Sequence, residues 1–337
     1  MFLCFSSSST FIFLVSLERC VILIIFLIFN LSKDKDKLSS TFFIFFINIV
    51  GSIPFIFFCS VLEGSFGGKE ISLGGLERVA VYGSMLFILL SKVPIFLLHF
   101  WLTKAHVRAS GTGSIVLARL MLKIGTVGLY KFCQIFLFFS KGIFFSFICC
   151  FSVARCLFIG MAMYRFFDLK YIVACSSIVH MALIIPGCLF PQSLGVVGSI
   201  LIMVGHGLIS CFIFYTVRLV YERRMNRSSD EGKRMERASS LFGLILFFSF
   251  LINLGFPPFV RFLREFFFVT FFLRLRFRII PVLLCSFIIV GLVFILVSLL
   301  FLFGKKFKKR SGPFDPLVSR ISLLFFVRIL FVPLVLG

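Results

Sequence analysis

Ten ionisable residues fall inside long apolar runs: Glu18, Lys92, Arg119, Lys123, Arg155, His180, His206, Arg261, Arg264 and Glu265. A charged side chain at the centre of a membrane helix costs on the order of 2.5–3.5 kcal/mol on insertion scales, so several together are tolerated only if they pair or face water. Acids, lysines and histidines in alternation are the side chains of a proton relay. Desolvation disfavours the charged form of a buried lysine, and a neighbouring acid restores it. Moving the acid therefore switches whether the amine keeps its proton. Each group also has a plainer reading. Arg119 stands one turn before Lys123 on the same helical face, where a snorkelling, lipid-facing charge explains it equally well. Arg155 and Arg261 read as structural, and a single histidine such as His180 is commonly a satisfied core group.

Other chemistries find little support. The eleven cysteines lie mostly within apolar runs and form no CxxC pair, so they read as small hydrophobes rather than metal or iron–sulfur ligands. Neither a GxGxxG turn after a strand nor a P-loop is present. The glycine-rich stretch GSFGGKEISLGG (64–75) follows an apolar run rather than a strand and reads as a flexible loop. No redox cofactor and no metal is expected on this chain.

The elements that must position these charges follow from composition. Of 337 residues, 60% are hydrophobic and 14% charged, whereas soluble domains are about half apolar and a quarter charged. The chain is therefore an all-α polytopic membrane protein. At roughly 20 residues per span plus connections it holds about ten helices, with no room for a large extramembrane domain. Apolar runs at 9–31, 41–62, 80–101, 114–138, 143–165, 170–190, 194–220, 240–273, 279–303 and 318–336 mark the candidate spans. Two of them are interrupted, the third by Pro94 and the eighth by Asn253-Leu254-Gly255-Phe256-Pro257-Pro258. Broken backbone at membrane depth is tolerated only against protein or a hydrated cavity, which suggests transport. The N-terminus has neither a positive n-region nor Arg enrichment, so it resembles no signal or transit peptide.

A net charge of +22 would suggest a nucleic-acid partner in a soluble protein. Here it reads as topology. With alternating spans, loops on one side hold nineteen basic residues, including Arg165 and Lys170, Arg218 to Arg237 and Lys305 to Arg310, against seven on the other. The basic side is the inner one, and both termini lie outside. Fifty-three Phe against the single Trp101 is consistent with a T-rich, organellar coding genome.

The stretch SKVPIFLLHFWLTKAHVRASGTGSIVLARLMLKIGTVGLYK (91–131) resembles the signature region of the antiporter-like subunits of respiratory complex I, NADH:ubiquinone oxidoreductase, without a gap. FDLKYIVACSSIVHMALII (167–185), GHGLISCFIFYTVRLVYERR (205–224) and NLGFPPFVRFLRE (253–265) resemble later signatures of that family in the same order, and residues 16–46 resemble its early acid-bearing helix with Glu18 on the acid. Thr103, Arg108 and Ser110 depart from the family's Pro, Glu and Pro. An acid at the late broken helix, Glu265, resembles the family's fourth-subunit branch, since subunits 2 and 5 carry Lys there.

The resemblance implies an antiporter-like inverted-repeat fold with two broken helices. Residues 9–138 would be a first half-channel repeat lacking its opening helix, 143–303 a second, and 318–336 a C-terminal helix. It implies protons moved through buried residues and coupled to electron transfer from NADH to ubiquinone elsewhere in a complex. Glu18 and Lys92 would be an acid–lysine pair, Lys123 a central relay, His180 and His206 the continuing polar axis, and Glu265 the far carrier. NAD, FMN, iron–sulfur clusters and ubiquinone would sit on other subunits. Expected partners are the membrane-arm subunits, above all the homologous chains 2 and 5, with phospholipids. A separate polypeptide is expected to supply four N-terminal helices the family has ahead of this chain's first span. The expected location is the mitochondrial inner membrane, basic loops toward the matrix. A free-standing multisubunit cation/proton antiporter and a non-pumping spacer of the membrane arm are the competing readings.

Overall fold

The computed structural model describes residues 2–6, 10–31, 37–65, 75–93, 95, 98–136, 143–166, 168–190, 192–224, 240–255, 260–274 and 280–303. Its elements are helices: α1 (Phe2–Ser6), α2 (Thr10–Leu31), α3 (Lys37–Ser65), α4 (Gly75–Lys92), α5 (Phe100–Arg108), α6 (Gly111–Val116), a π-turn (Leu117–Met121), α7 (Leu122–Phe136), α8 (Ile143–Met163), α9 (Leu169–Ala182), α10 (Ile184–Leu189), α11 (Ser193–Arg224), α12 (Ser240–Leu254), α13 (Val260–Arg274) and α14 (Ile280–Phe303). Nine of the ten apolar runs correspond to these helices, and the tenth, 318–336, lies outside the described residues. Among the described residues six stretches are long and apolar enough to cross a bilayer, from Ile12–Asn30 to Ser193–Glu222. Three shorter apolar helices, Gly83–Lys92, Leu244–Leu254 and Leu284–Leu299, border or follow the breaks.

Apolar side chains face both inward and outward, as a bilayer solvent allows. Residues 169–189, buried except for the half-buried Tyr171, form the central post of the bundle. Around it α8, α5 and α11 pack, with α13 outside α11 and α14 against α8. At the other edge α2 and α3 present Ile22, Leu23, Phe26, Phe42 and Phe46 to the surroundings. Buried hydroxyls satisfy themselves inside the helices: Ser152, Ser176, Ser177, Thr216 and Ser249 each donate to the carbonyl three residues back, at 2.7–2.8 Å. That is the usual solution for a hydroxyl with no water beside it.

The breaks follow from missing or redirected N–H groups. Pro94 has no N–H to offer the Leu90 carbonyl, which instead accepts from Ile95 N–H at 3.3 Å. The Ser91 carbonyl is thereby left over, and the buried indole of Trp101 donates to it at 3.2 Å. The single tryptophan thus ties α5 to the end of α4. Trp101→Phe keeps most of the buried ring but strands that carbonyl, and is expected to cost about 1–3 kcal/mol, read as a lower thermal unfolding midpoint of the purified assembly. The second break opens at Gly255, whose φ of +78° suits glycine alone among common residues and whose N–H reaches Ile252 O at 3.4 Å. Pro186 likewise offers no N–H to the carbonyl of Ala182, the residue at which α9 ends.

The π-turn at Leu117–Met121 corrects one expectation. Regular helical spacing puts Arg119 and Lys123 on one face, but the wider turn rotates them apart. Arg119 points outward and is exposed, whereas Lys123 is 8% exposed.

Candidate functional site

At the first break three helices converge on an amine. Lys92 ends α4 at 5% exposure, and its Nζ lies 3.8 Å from Glu18 Oε1 on α2. Asn48 on α3 donates from its Nδ2 to Glu18 Oε2, holding the carboxylate in place. A Cβ on Gly125 would stand 2.9 Å from Lys92 Cβ, so the backbone of α7 presses directly on the lysine stem two residues beyond Lys123. A cleft lined by Asn48, Ser91, Lys92, Trp101 and Met121 has a volume of about 10 Å³, the scale of one water molecule. An acid, an amine and room for water are the parts of a proton-transfer step.

The second cluster lies around Lys123. Its Nζ donates to Ala118 O, in the π-turn, at 2.7 Å and lies 2.8 Å from His206 Nδ1 on α11. The wide turn presents the Ala118 carbonyl to a side chain, which is what π-turns supply at functional positions. Gly207 leaves space for the stem, since a Cβ there would come within 3.3 Å of Lys123 Cε. The His206 and His180 rings, on α11 and α9, have centroids 6.4 Å apart, and both are buried.

The structure therefore joins Glu18 with Lys92, and Lys123 with His206 and His180. Glu265 occupies a third place, at the second break. Its carboxylate packs on Gly255, where a Cβ would approach Oε2 to 2.9 Å, and its helix α13 lies against α11. Arg155 is fully buried and donates from Nη2 to Ile178 O at 3.2 Å, matching its structural reading. The side chains of Arg261 and Arg264 lie outside the described residues.

Four site features were not legible as such. Asn48 is an ordinary polar residue in an apolar run. Lys170 counts among loop charges in the sequence, but it is 3% exposed and donates to Ala109 O at 2.8 Å. Although only the second residue of α9, it is covered by the bundle, so it leaves the tally of loop charges. His106 is fully buried and stacks on Phe214, with centroids 4.7 Å apart and 12° between planes. The signal for it was its place within 91–131, the stretch that resembles the family signature. Ser110, standing where the family pattern has Pro, caps α6 by accepting from Gly113 N–H at 3.1 Å. Arg108, in place of the family's Glu, donates to Ser39 on α3, and Lys104 lies 3.6 Å over the Phe43 ring.

Two helices broken beside an acid–lysine pair and a second acid, with a Lys–His contact between them, define an antiporter-like membrane subunit. The chain belongs to the NADH:quinone oxidoreductase/Mrp antiporter transmembrane family, whose model matches residues 7–303. The NADH-ubiquinone oxidoreductase chain 4 of Artemia franciscana is 32% identical over 278 residues, covering 80% of this chain and 68% of that one. The protein of the same name from Locusta migratoria is 30% identical over 270 residues, covering 79% of this chain and 60% of its own length. The chain thus spans about three fifths to two thirds of these relatives. A chain of the respiratory complex I of Thermus thermophilus solved with bound NADH shares the fold, with a TM-score of 0.82 over 97% of this chain and 72% of that one at 16% identity.

Proposed function

We propose that the chain is a membrane-arm subunit, of the chain-4 kind, in a proton-translocating NADH:ubiquinone oxidoreductase. It carries protons along Glu18, Lys92, Lys123, His206, His180 and Glu265, while NAD, FMN, iron–sulfur clusters and ubiquinone react on other subunits. Relatives named for that enzyme support the reading. The observation that carries it is the buried contact of Lys123 Nζ with His206 Nδ1 at 2.8 Å, flanked by the Glu18–Lys92 pair. An amine and an imidazole so close exchange a proton without either entering water. When Glu18 holds its negative charge, the ammonium of Lys92 has a counter-charge. When that carboxylate is neutralised or moves, the positive charge stands alone in a low-dielectric site and the proton passes on. Quinone chemistry elsewhere needs only to bias the acid.

The two half-channels are residues 9–138 and 143–303, and 318–336 is a C-terminal helix. The partners are the homologous chains 2 and 5 with phospholipid. The setting is the mitochondrial inner membrane with the basic loops toward the matrix. On a native gel, this chain is expected to co-migrate with NADH dehydrogenase activity. Migration apart from that activity selects the free-standing antiporter instead.

A further inference from the structure

Between α5, α8 and α9 a cleft of about 490 Å³ enters the bundle, away from both buried clusters. Its rim is apolar and open: Phe100, Phe158 and Met161 are 52%, 58% and 45% exposed. Its walls follow the helices. On the α8 side they run from Phe158 to Arg165, just past the helix end, which is roughly 10 Å. That is about two thirds of the roughly 15 Å hydrocarbon depth of one bilayer leaflet. His99 and Thr103 on the α5 side and Tyr171 and Cys175 on α9 line the same depth. Lys170 binds Ala109 O and so brings the start of α9 to the end of α5. Arg165, Phe166 and Tyr171 therefore stand at the shallow end, and His99, which opens α5, at the deep one beside the first break.

The two ends differ in what they ask of an occupant. Arg165 is exposed and its guanidinium has no partner among the described residues. The nearby acid Asp168 is engaged elsewhere, accepting from Lys170 N–H at 3.0 Å. Phe166 packs on Tyr171 with centroids 4.0 Å apart, and Tyr164 beside them is exposed. An arginine among aromatic rings at a helix end is the arrangement found where membrane helices meet headgroups. Deeper in, Thr103 gives its hydroxyl to Phe100 O at 3.1 Å, so it needs nothing from outside. The occupant is thus anionic at the face and apolar for about 10 Å below it. A protein helix about 10 Å across displaces roughly 800 Å³ over that depth, more than the cleft holds, whereas a single hydrocarbon chain is slimmer.

We propose that an anionic phospholipid occupies this cleft, its phosphate on Arg165 and one acyl chain lying between α5, α8 and α9 as far as His99. The guanidinium supplies a planar fork for phosphate oxygens, and the chain seals the flank of the first break with hydrocarbon. The site needs only the membrane setting of the chain and stands whether or not protons pass through it.

The test uses the chain in its native membrane assembly, placed in phosphatidylcholine vesicles with a trace of photoreactive lipid. The probe is phosphatidylglycerol or phosphatidylcholine with a diazirine midway along one acyl chain, and labelled peptides are quantified relative to those of the outward-facing Phe46 on α3. Peptides carrying Phe100 and Phe158 are expected to take about fivefold more label from the phosphatidylglycerol probe. Arg165→Gln is expected to abolish that preference, and Ala162→Phe, which puts a ring into the cleft, to lower labelling by both probes severalfold. Equal labelling of the wild type by the two probes, or a preference that survives Arg165→Gln, overturns the proposal. So does a cleft that neither probe labels, the result expected if a neighbouring protein covers it. If a variant does not assemble, the wild-type comparison decides: a preference for phosphatidylglycerol upholds the site and its absence overturns it.

Discussion

Glu18→Gln is expected to slow coupled NADH oxidation roughly tenfold, Lys92→Met to do the same, and the double variant to be no slower than either. The geometry sets this expectation. Lys92 Nζ lies 3.8 Å from the carboxylate at 5% exposure, while Glu18 keeps 27%. Neutralising Glu18 alone leaves the ammonium without its counter-charge where water hardly reaches, and removing one partner of a buried pair costs more than removing both. Glu18 suffers less on the loss of Lys92, because Asn48 still donates to its Oε2, although Oε1 is buried. Stability should therefore fall further in Glu18→Gln than in Lys92→Met. A thermodynamic cycle should return a coupling of about 0.5–3 kcal/mol. Additive single effects on turnover would show that the two residues act independently.

The second large effect is expected at Lys123. Lys123→Met fills the same space but removes the donor to Ala118 O and the partner of His206 Nδ1. The π-turn carbonyl and the imidazole are then each short of one hydrogen bond, at about 1–3 kcal/mol for each group left wanting. The helix persists, because the apolar faces of α7 and α11 are unaltered. The relay does not, since among the described residues no other amine contacts His206. Coupled turnover should fall at least tenfold, with complex assembly unchanged on a native gel.

How much of this was readable from residues alone differs from element to element. Spans were legible because apolar runs between charged or Gly/Pro-rich breaks leave few other assignments, and the break at Pro94 follows from a missing N–H. The Glu18–Lys92 pair was legible through the expense of intramembrane charge together with the family pattern. The π-turn was not, because LARLM has nothing that distinguishes it from an ordinary helical turn. Its effect, turning Arg119 out while Lys123 turns in, reverses a spacing argument that assumes 3.6 residues per turn. Lys170 was misplaced for a related reason. A lysine beside Asp168 at a helix start reads as solvent-facing, and only the packing of α5 against α9 shows that it is covered. His106 was visible as a histidine, but its burial against Phe214 depends on a contact spanning 108 positions of sequence. Long-range packing decided the last two, and local pattern carries no record of it.

The central claim is that protons cross the membrane through this chain, by way of Lys123. Its most direct measure is the number of protons translocated per electron by the assembled complex in sealed vesicles, wild type against Lys123→Met. A lower ratio in the variant, with the complex intact, is the result this account predicts. An unchanged ratio in a fully assembled complex would contradict it and leave the chain a structural spacer.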